Sequence, residues 1–186
     1  MKRHHFVAVE LPGEVKTKLA GFCSNIKKEH NFKTWVHPED FHITLAFLGT
    51  ASGEQINKLS TFLKEVVPKH PSFILNVDHF GFFGNKQHPR IFWTGVEEQS
   101  SLYRLQNEVA NACKQAGFTL EKRPYAPHIT LARKHIESES LSMNHEDWWK
   151  QYGQEVQFKA DHIVIYETHL ERVPKYQTIE SFSLRN

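Results

Sequence analysis

The pentapeptide His-Ile-Thr-Leu-Ala occurs twice in this 186-residue chain, at residues 42–46 and 128–132. Polar and apolar residues alternate in each copy, so an extended strand would carry the histidine and the threonine on one face and the aliphatic residues on the other. Two histidines that meet across a cleft can serve as general acid and general base, because the ordinary pKa of imidazole is about 6.5. The repeat therefore predicts an internal duplication that supplies an acid–base pair.

The segments around the motifs predict strands and helices in an irregular order. Alternating or β-rich stretches predict strands over residues 5–11, 41–48, 73–83, 90–96, 128–133, 156–170 and 176–184. Apolar residues at helical spacing within 15–26, 56–67 and 102–112 predict three helices, with Ser52 as an N-cap and Gly117 as a C-terminal stop. Residues 138–153 are interpreted as a loop with a short helix. This order favours an α+β fold with two largely antiparallel sheets that line a central cleft, with helices outside.

Composition limits the class of protein only broadly. The hydrophobic fraction of 39% and the formal net charge of +2 are typical of a globular protein, and they permit an RNA partner without requiring one. The apolar run near the start ends at Glu10 and is too short for a signal peptide, and no window suggests a membrane span. We therefore expect a cytoplasmic monomer, with Cys23 and Cys113 as buried free thiols.

The paired H-x-T-x motifs and their flanks resemble the 2H phosphoesterase superfamily, and within it the bacterial and archaeal RNA 2′,3′-cyclic phosphodiesterases, historically called 2′-5′ RNA ligases. The similarity covers residues 6–12, 41–49, 123–133, 166–168 and Tyr176. It implies one domain over residues 1–186 with two pseudo-symmetric lobes, each supplying one motif. It also implies that RNA 2′,3′-cyclic phosphate ends are opened to 2′-phosphates without metal or cofactor, with 2′-5′ joining as the reverse reaction.

The resemblance implies distinct roles for the two histidines. His128 would be the proton acceptor that activates water, and His42 the proton donor to the departing 3′ oxygen. The sequence alone leaves this assignment open, because the two motifs are identical. Thr44 and Thr130 share a face with their histidines, and their hydroxyls can donate to non-bridging phosphate oxygens.

The copies differ five residues after each histidine, where Phe47 follows the first motif and Arg133 the second. The resemblance implies that these two side chains flank the base of the substrate, with Arg133 also near phosphate. Strict alternation puts both on the face opposite the histidines, so this placement requires a bulge, a twist or a strand end. For Phe47 the alternative is packing in the core.

The sequence also permits other interpretations of individual residues and of the function. Trp148 and Trp149 could stack on single-stranded RNA or pack a loop against a lobe, and His5 could approach the cleft. A metal site at residues 145–147 lacks the usual spacing of ligands. Basic residues around Arg133 could follow an RNA backbone. The alternative functions are hydrolysis of a small cyclic nucleotide or of ADP-ribose cyclic phosphate, and non-catalytic binding of nucleotide or RNA.

Overall fold

The computed structural model describes residues 3–85, 88–136 and 144–186. Thirteen helices and strands, with two short 3-10 turns at Pro38–Asp40 and Val67–Lys69, follow one another along these residues. They are β1 (His4–Glu10), α1 (Gly13–Ile26), β2 (Phe32–Trp35), β3 (His42–Thr50), α2 (Gly53–Val66), β4 (Phe73–Gly84), β5 (Pro89–Val96), α3 (Ser100–Gln115), β6 (His128–His135), α4 (His145–Tyr152), β7 (Val156–Ala160), β8 (His162–Thr168) and β9 (Tyr176–Ser183). None of the helices in this part of the chain is both long and apolar enough to cross a membrane.

The strands form two antiparallel sheets, as the sequence predicts. Sheet A has the strand order β3-β1-β8-β9, and sheet B has the order β2-β6-β5-β4-β7. Each sheet carries one of the two motif strands, β3 in sheet A and β6 in sheet B. The predicted α+β class with antiparallel sheets is confirmed, whereas the division into two equivalent lobes within a single domain stays a prediction.

Each sheet is covered partly by a helix that follows a strand of the other sheet. Helix α3 follows β5 of sheet B but packs on β3 of sheet A, beside α2. Helix α1 follows β1 of sheet A but packs on β7 of sheet B, beside α4. As a result, one continuous cluster of buried apolar side chains extends through both sheets.

The local signals at the ends of the helices behave as the sequence predicts. The Ser52 hydroxyl accepts a hydrogen bond from the backbone N–H of Gln55 at 3.2 Å, and the Gln55 side chain accepts one from the backbone N–H of Ser52 at 3.1 Å. This reciprocal pair is a capping box that fixes the start of α2. Gly117 has a φ of +90°, which ends the helical path after α3.

One prediction about strands is wrong, and one strand was not predicted. Residues 156–170 form two strands in different sheets, since β7 pairs with β4 in sheet B and β8 pairs with β1 in sheet A. The alternation continues through Asp161, so the pattern does not reveal that the chain changes partners there. The short strand β2 was missed, because four residues with exposed Lys33 and Thr34 give almost no alternation.

The two tryptophans pack against the protein instead of forming a surface platform. Trp148 is fully buried, and the ring of Trp149 contacts Phe22 and Phe80 edge to face. The predicted short helix is α4, while residues 137–143 lie outside the described part of the chain. In the described ranges no cluster of three or more potential metal-ligating side chains occurs, residues 145–147 included.

The thiols of Cys23 and Cys113 are both buried and free, as predicted. Burial raises the pKa of each thiol to about 12. Both therefore remain protonated near neutral pH, which makes them packing groups and not nucleophiles.

Candidate active site

The two motif strands, β3 and β6, lie in contact with each other and share a local irregularity. Leu45 is left out of the pairing between β3 and β1, and Leu131 is left out of the pairing between β6 and β5. Each is the extra residue of a β-bulge, which interrupts the alternation of a strand. The two copies of the motif thus carry the same bulge at the same position.

The bulge decides where the residue five positions after each histidine points. Leu45 and the next residue, Ala46, are both buried, after which Phe47 is 48% exposed. The second motif follows the same order, with Arg133 exposed after two buried residues. Phe47 and Arg133 therefore lie on the same face as the histidines. A bulge of this kind is what the sequence analysis requires if these two side chains are to flank the base of the substrate.

Each histidine is held by a carbonyl oxygen two residues before it. Nδ1 of His42 lies 2.7 Å from the oxygen of Asp40, and Nδ1 of His128 lies 2.8 Å from the oxygen of Ala126. Because a carbonyl oxygen can only accept, Nδ1 of each ring must carry the proton of this hydrogen bond. Nε2 is then the atom of each ring that gains or loses a proton.

The environment lowers the pKa of both rings. Burial lowers the pKa of His42 to about 4, the hydrogen bond to Asp40 opposes this shift, and the charge of His128 adds to it. Burial also lowers the pKa of His128, again opposed by its backbone hydrogen bond, and the charge of Arg133 lowers it further. Arg133 acts in the same direction on His42. Three groups that can be positive therefore lie within electrostatic range of one another, which suits an anionic ligand.

The two threonines differ in their contacts. The hydroxyl of Thr44 lies 3.1 Å from Nε2 of His42 and donates to it when the ring is neutral. Thr130 is half-buried on the same face of β6 as His128. Both threonines thus lie beside the histidine of their own motif, as the sequence predicts.

Arg133 and Phe47 have different neighbours in the structure. The guanidinium of Arg133 lies close enough to the hydroxyl of Tyr176 on β9 to oppose the rise in pKa that burial gives this hydroxyl, so it reaches from sheet B towards sheet A. Phe47 makes its aromatic contact with His4, at a centroid distance of 5.6 Å. Arg133 therefore lies within electrostatic range of both histidines, whereas Phe47 lies on the same face farther along β3.

Sequence reasoning missed the aromatic rings around the histidines. The ring of His42 packs against the rings of Phe6 and Tyr176, with distances between ring centroids of 4.7 and 5.2 Å. The ring of His128 packs against those of Phe83 and Trp93, with centroid distances of 4.9 and 5.8 Å. These residues come from strands distant in sequence. Phe6 and Tyr176 lie in segments that the family resemblance covers, but no local pattern marks any of the four as a neighbour of a motif histidine. They exclude water from the two rings, which is the cause of the lowered pKa values.

Asp40 was also missed, although it holds two parts of the site. Its backbone carbonyl fixes the His42 ring, while its buried carboxylate accepts hydrogen bonds from the backbone N–H groups of Lys175, at 2.9 and 3.0 Å, and Tyr176, at 3.0 Å. Asp40 therefore fixes Tyr176 against His42. The only signal in the sequence is an acidic residue two positions before the motif.

Other candidate residues take structural roles. Nε2 of His5 lies 3.2 Å from a carboxylate oxygen of Glu167, and buried His169 lies 2.8 Å from the other oxygen of the same group. The basic residue Arg123, which precedes the second motif, is paired with Glu121 at 2.6 Å. Arg133, by contrast, lies within electrostatic range of both histidines.

The fold and the paired motif strands agree with comparisons to known proteins. The chain belongs to the 2′-5′ RNA ligase superfamily, whose family model matches residues 6–172. It is 40% identical to an RNA 2′,3′-cyclic phosphodiesterase of Geobacillus stearothermophilus over 99% of this chain and 58% of that protein. It is 34% identical to a protein of the same name from Bacillus subtilis, over 99% of this chain and 98% of that protein.

Solved structures confirm the fold. A crystal structure of E. coli LigT complexed with 3′-AMP matches with a TM-score of 0.76 and 23% identity, over 99% of each chain. A phosphoesterase crystal structure matches with a TM-score of 0.78 over 100% of each chain, also at 23% identity. The chain spans 58% of the length of the Geobacillus relative and nearly the whole of the others described here.

Proposed function

We propose that this protein hydrolyses 2′,3′-cyclic phosphates at RNA ends to 2′-phosphates by acid–base catalysis with two histidines. The observation that carries the proposal is the pair of rings on β3 and β6, each with Nδ1 held by a carbonyl and Nε2 left for proton transfer. The names of the two curated relatives support the choice of substrate. The charge of Arg133, which lies within range of both rings, supports an anionic substrate.

The proposed reaction is an in-line displacement at phosphorus. Nε2 of His128 takes a proton from water as the water oxygen bonds to phosphorus. The bond from phosphorus to the 3′ oxygen breaks, and Nε2 of His42 gives its proton to that oxygen. Exchange with solvent then restores both rings. If a 5′-hydroxyl takes the place of water, the same ring opening gives a 2′-5′ linkage.

Substrate binding supports the protonation state that this reaction needs. The pKa of His42 is lowered to about 4 in the free protein, so the donor is largely neutral near pH 7. A bound phosphodiester brings a negative charge next to His42 and raises its pKa. Thr44, Thr130 and Arg133 are the groups proposed to hold the non-bridging oxygens while charge develops on them.

The test is an oligoribonucleotide that ends in a 2′,3′-cyclic phosphate, incubated with the protein in EDTA, with the position of the product phosphate read by 31P NMR. We expect a 2′-phosphate. Replacement of His42 or His128 by alanine should lower the rate about 10²- to 10⁴-fold. His162→Ala is the matched control, because this ring lies on the surface beside Asp161 and Ser183. Loss of turnover in EDTA, or near-normal rates in both folded motif variants, would contradict the mechanism.

The same assay tests the alternatives. Cyclic mononucleotides and ADP-ribose cyclic phosphate that react faster than the oligomer would assign a small-molecule substrate. Binding of the oligomer without turnover would indicate a non-catalytic module. RNA as the physiological partner, the monomeric state and the cytoplasmic location stay predictions.

A further inference from the structure

The face of sheet B that carries His128 also carries rings on the neighbouring strands. The register across β4, β5 and β6 places two rows of residues on this face, and these rows are His79, Gly95 and His128, followed by Gly81, Trp93 and Thr130. Phe83 lies two residues beyond Gly81 on β4 and therefore on the same face. We call His79, Phe83 and Trp93 the aromatic shelf.

Two glycines make room for the shelf. A Cβ atom on Gly81 would lie 2.1 Å from the indole of Trp93, and one on Gly95 would lie 2.2 Å from the imidazole of His79. Real Cβ atoms do not approach other atoms this closely, so any side chain at either glycine would displace the ring above it. The two rings therefore lie flat over the strand beside their own, in spaces that other residues would fill.

The shelf is continuous with the proposed catalytic residue. Trp93 lies between the other two rings, 5.0 Å from Phe83 and 5.6 Å from His79 by centroid distance. Phe83 and Trp93 also contact the ring of His128. A ligand that stacks on the shelf would thus have a neighbouring group within reach of Nε2 of His128.

The corresponding face of sheet A has a different arrangement of rings. Phe6 and Tyr166 are only 4% and 5% exposed, and they form a small buried cluster with Ala8 and Val164 under Tyr176. On sheet B the side chain of His79 is 46% exposed, and Phe83 and Trp93 are half-buried. Sheet B therefore offers three contiguous, partly exposed rings beside His128, whereas sheet A offers the half-buried ring of Tyr176 beside His42 and the exposed ring of Phe47 farther along β3.

This asymmetry has a chemical meaning if the proposed function holds, on which this inference rests. In an in-line displacement the entering oxygen lies on the His128 side and the departing 3′ oxygen on the His42 side. Hydrolysis places only a water molecule on the His128 side, and water does not need a stacking surface. A nucleoside whose 5′ oxygen takes the place of that water brings a base with it.

We propose that the aromatic shelf is a subsite for the base of a second nucleoside, whose 5′ oxygen occupies the position of the attacking water. In cleavage of a 2′-5′ linkage, the 3′-hydroxyl attacks phosphorus and gives its proton to His42. The bond from phosphorus to the 5′ oxygen breaks, and that oxygen takes a proton from His128. The products are a 2′,3′-cyclic phosphate and a 5′-hydroxyl, and joining is the reverse.

The test compares two inert ligands with the same charge. The dinucleotide 3′-deoxyadenylyl-(2′→5′)-adenosine cannot be cleaved, because it lacks the attacking 3′-hydroxyl. The methyl ester of 3′-deoxyadenosine 2′-phosphate has the same phosphodiester without the second nucleoside. Stacking of one base is worth roughly 5- to 150-fold in affinity, so wild-type protein should bind the dinucleotide about tenfold or more tightly than the methyl ester in calorimetric titrations.

Three variants locate the effect. His79→Ala and Trp93→Leu should each bring the ratio of the two affinities toward one. Gly95→Ala should do the same although every ring is kept, because the new methyl group displaces His79. Gly21→Ala is the matched control with an unchanged ratio, since a Cβ there meets open space. Each variant is first checked by its thermal midpoint, and the exposed His79 carries the test if Trp93→Leu does not fold.

Equal affinities of wild-type protein for the two ligands, or a ratio that all three folded variants preserve, would overturn the subsite. Hydrolysis of the cyclic-phosphate oligonucleotide is measured separately. Hydrolysis with an affinity ratio of one would refute the shelf and leave the proposed function intact. A high ratio lost in the variants, without any hydrolysis, would refute the proposed function and support base binding on the shelf.

Discussion

Replacing His42 by asparagine should make the protein less sensitive to acid. Asparagine keeps an N–H donor for the carbonyl oxygen of Asp40 but cannot take up a proton. In wild-type protein the pKa of His42 is lowered from 6.5 to about 4, chiefly by burial. The unfolded chain therefore binds a proton at this residue at a higher pH than the folded chain does.

The sign and size of the effect follow from this difference. A lowered histidine pKa means that stability is fully present above the unfolded value of 6.5 and is lost as the pH falls toward 4. The complete loss is about 3 kcal/mol, at 1.36 kcal/mol for each unit of pKa. Between pH 7 and pH 4.5 the part due to His42 is about 2 kcal/mol.

Urea unfolding at pH 7 and pH 4.5 gives the free energy of unfolding of each protein at both pH values. The effect is the difference between the loss in wild-type protein and the loss in His42→Asn. Wild-type protein should lose about 2 kcal/mol more than His42→Asn over this interval, because every other titrating group is shared. Thr130→Val, on the facing strand and without loss of a titratable group, should follow wild-type protein. If His42→Asn loses as much stability as wild-type protein, the ring is not held neutral by burial and the electrostatic account of the site fails.

Three further predictions concern the same site. Asp40→Asn should lower the free energy of unfolding by about 1.5–3 kcal/mol in urea titrations, because charge-assisted hydrogen bonds to the segment before Tyr176 are weakened, and should lower kcat as well. Arg133→Met should raise the pKa of both His42 and His128 in NMR titrations of the imidazole nitrogens, because a nearby positive charge is removed; unchanged values would place the guanidinium away from the rings. The alkaline limb of kcat/KM should lie at lower pH than that of kcat, because bound phosphodiester raises the pKa of His42; coincident limbs in the two pH–rate profiles would contradict this.

The sequence predicts much of the fold because its signals are local. The capping box at Ser52 depends on residues three positions apart, and strand alternation is visible within each element. The change of sheet at Asp161 depends instead on pairing partners far along the chain. A local pattern contains no information about those partners, so the two strands look like one.

The site follows the same division. The sequence shows the two H-x-T motifs and predicts that a bulge, a twist or a strand end is needed before Arg133. The bulge at Leu131 itself depends on its register with β5, and the shelf rings depend on glycines of neighbouring strands. Packing across strands therefore supplies what the motif leaves undetermined.

Both halves of the chain contribute strands and helices to both sheets, so the protein cannot be cut into two fragments that each contain a complete sheet. Strand β2 from the first half of the chain joins sheet B, while β8 and β9 from the second half join sheet A. Each sheet is also covered by a helix that follows a strand of the other. Two polypeptides made by cutting the chain between α2 and β4 would each lack part of both sheets. We expect neither fragment to fold alone and the two to restore the site only on association.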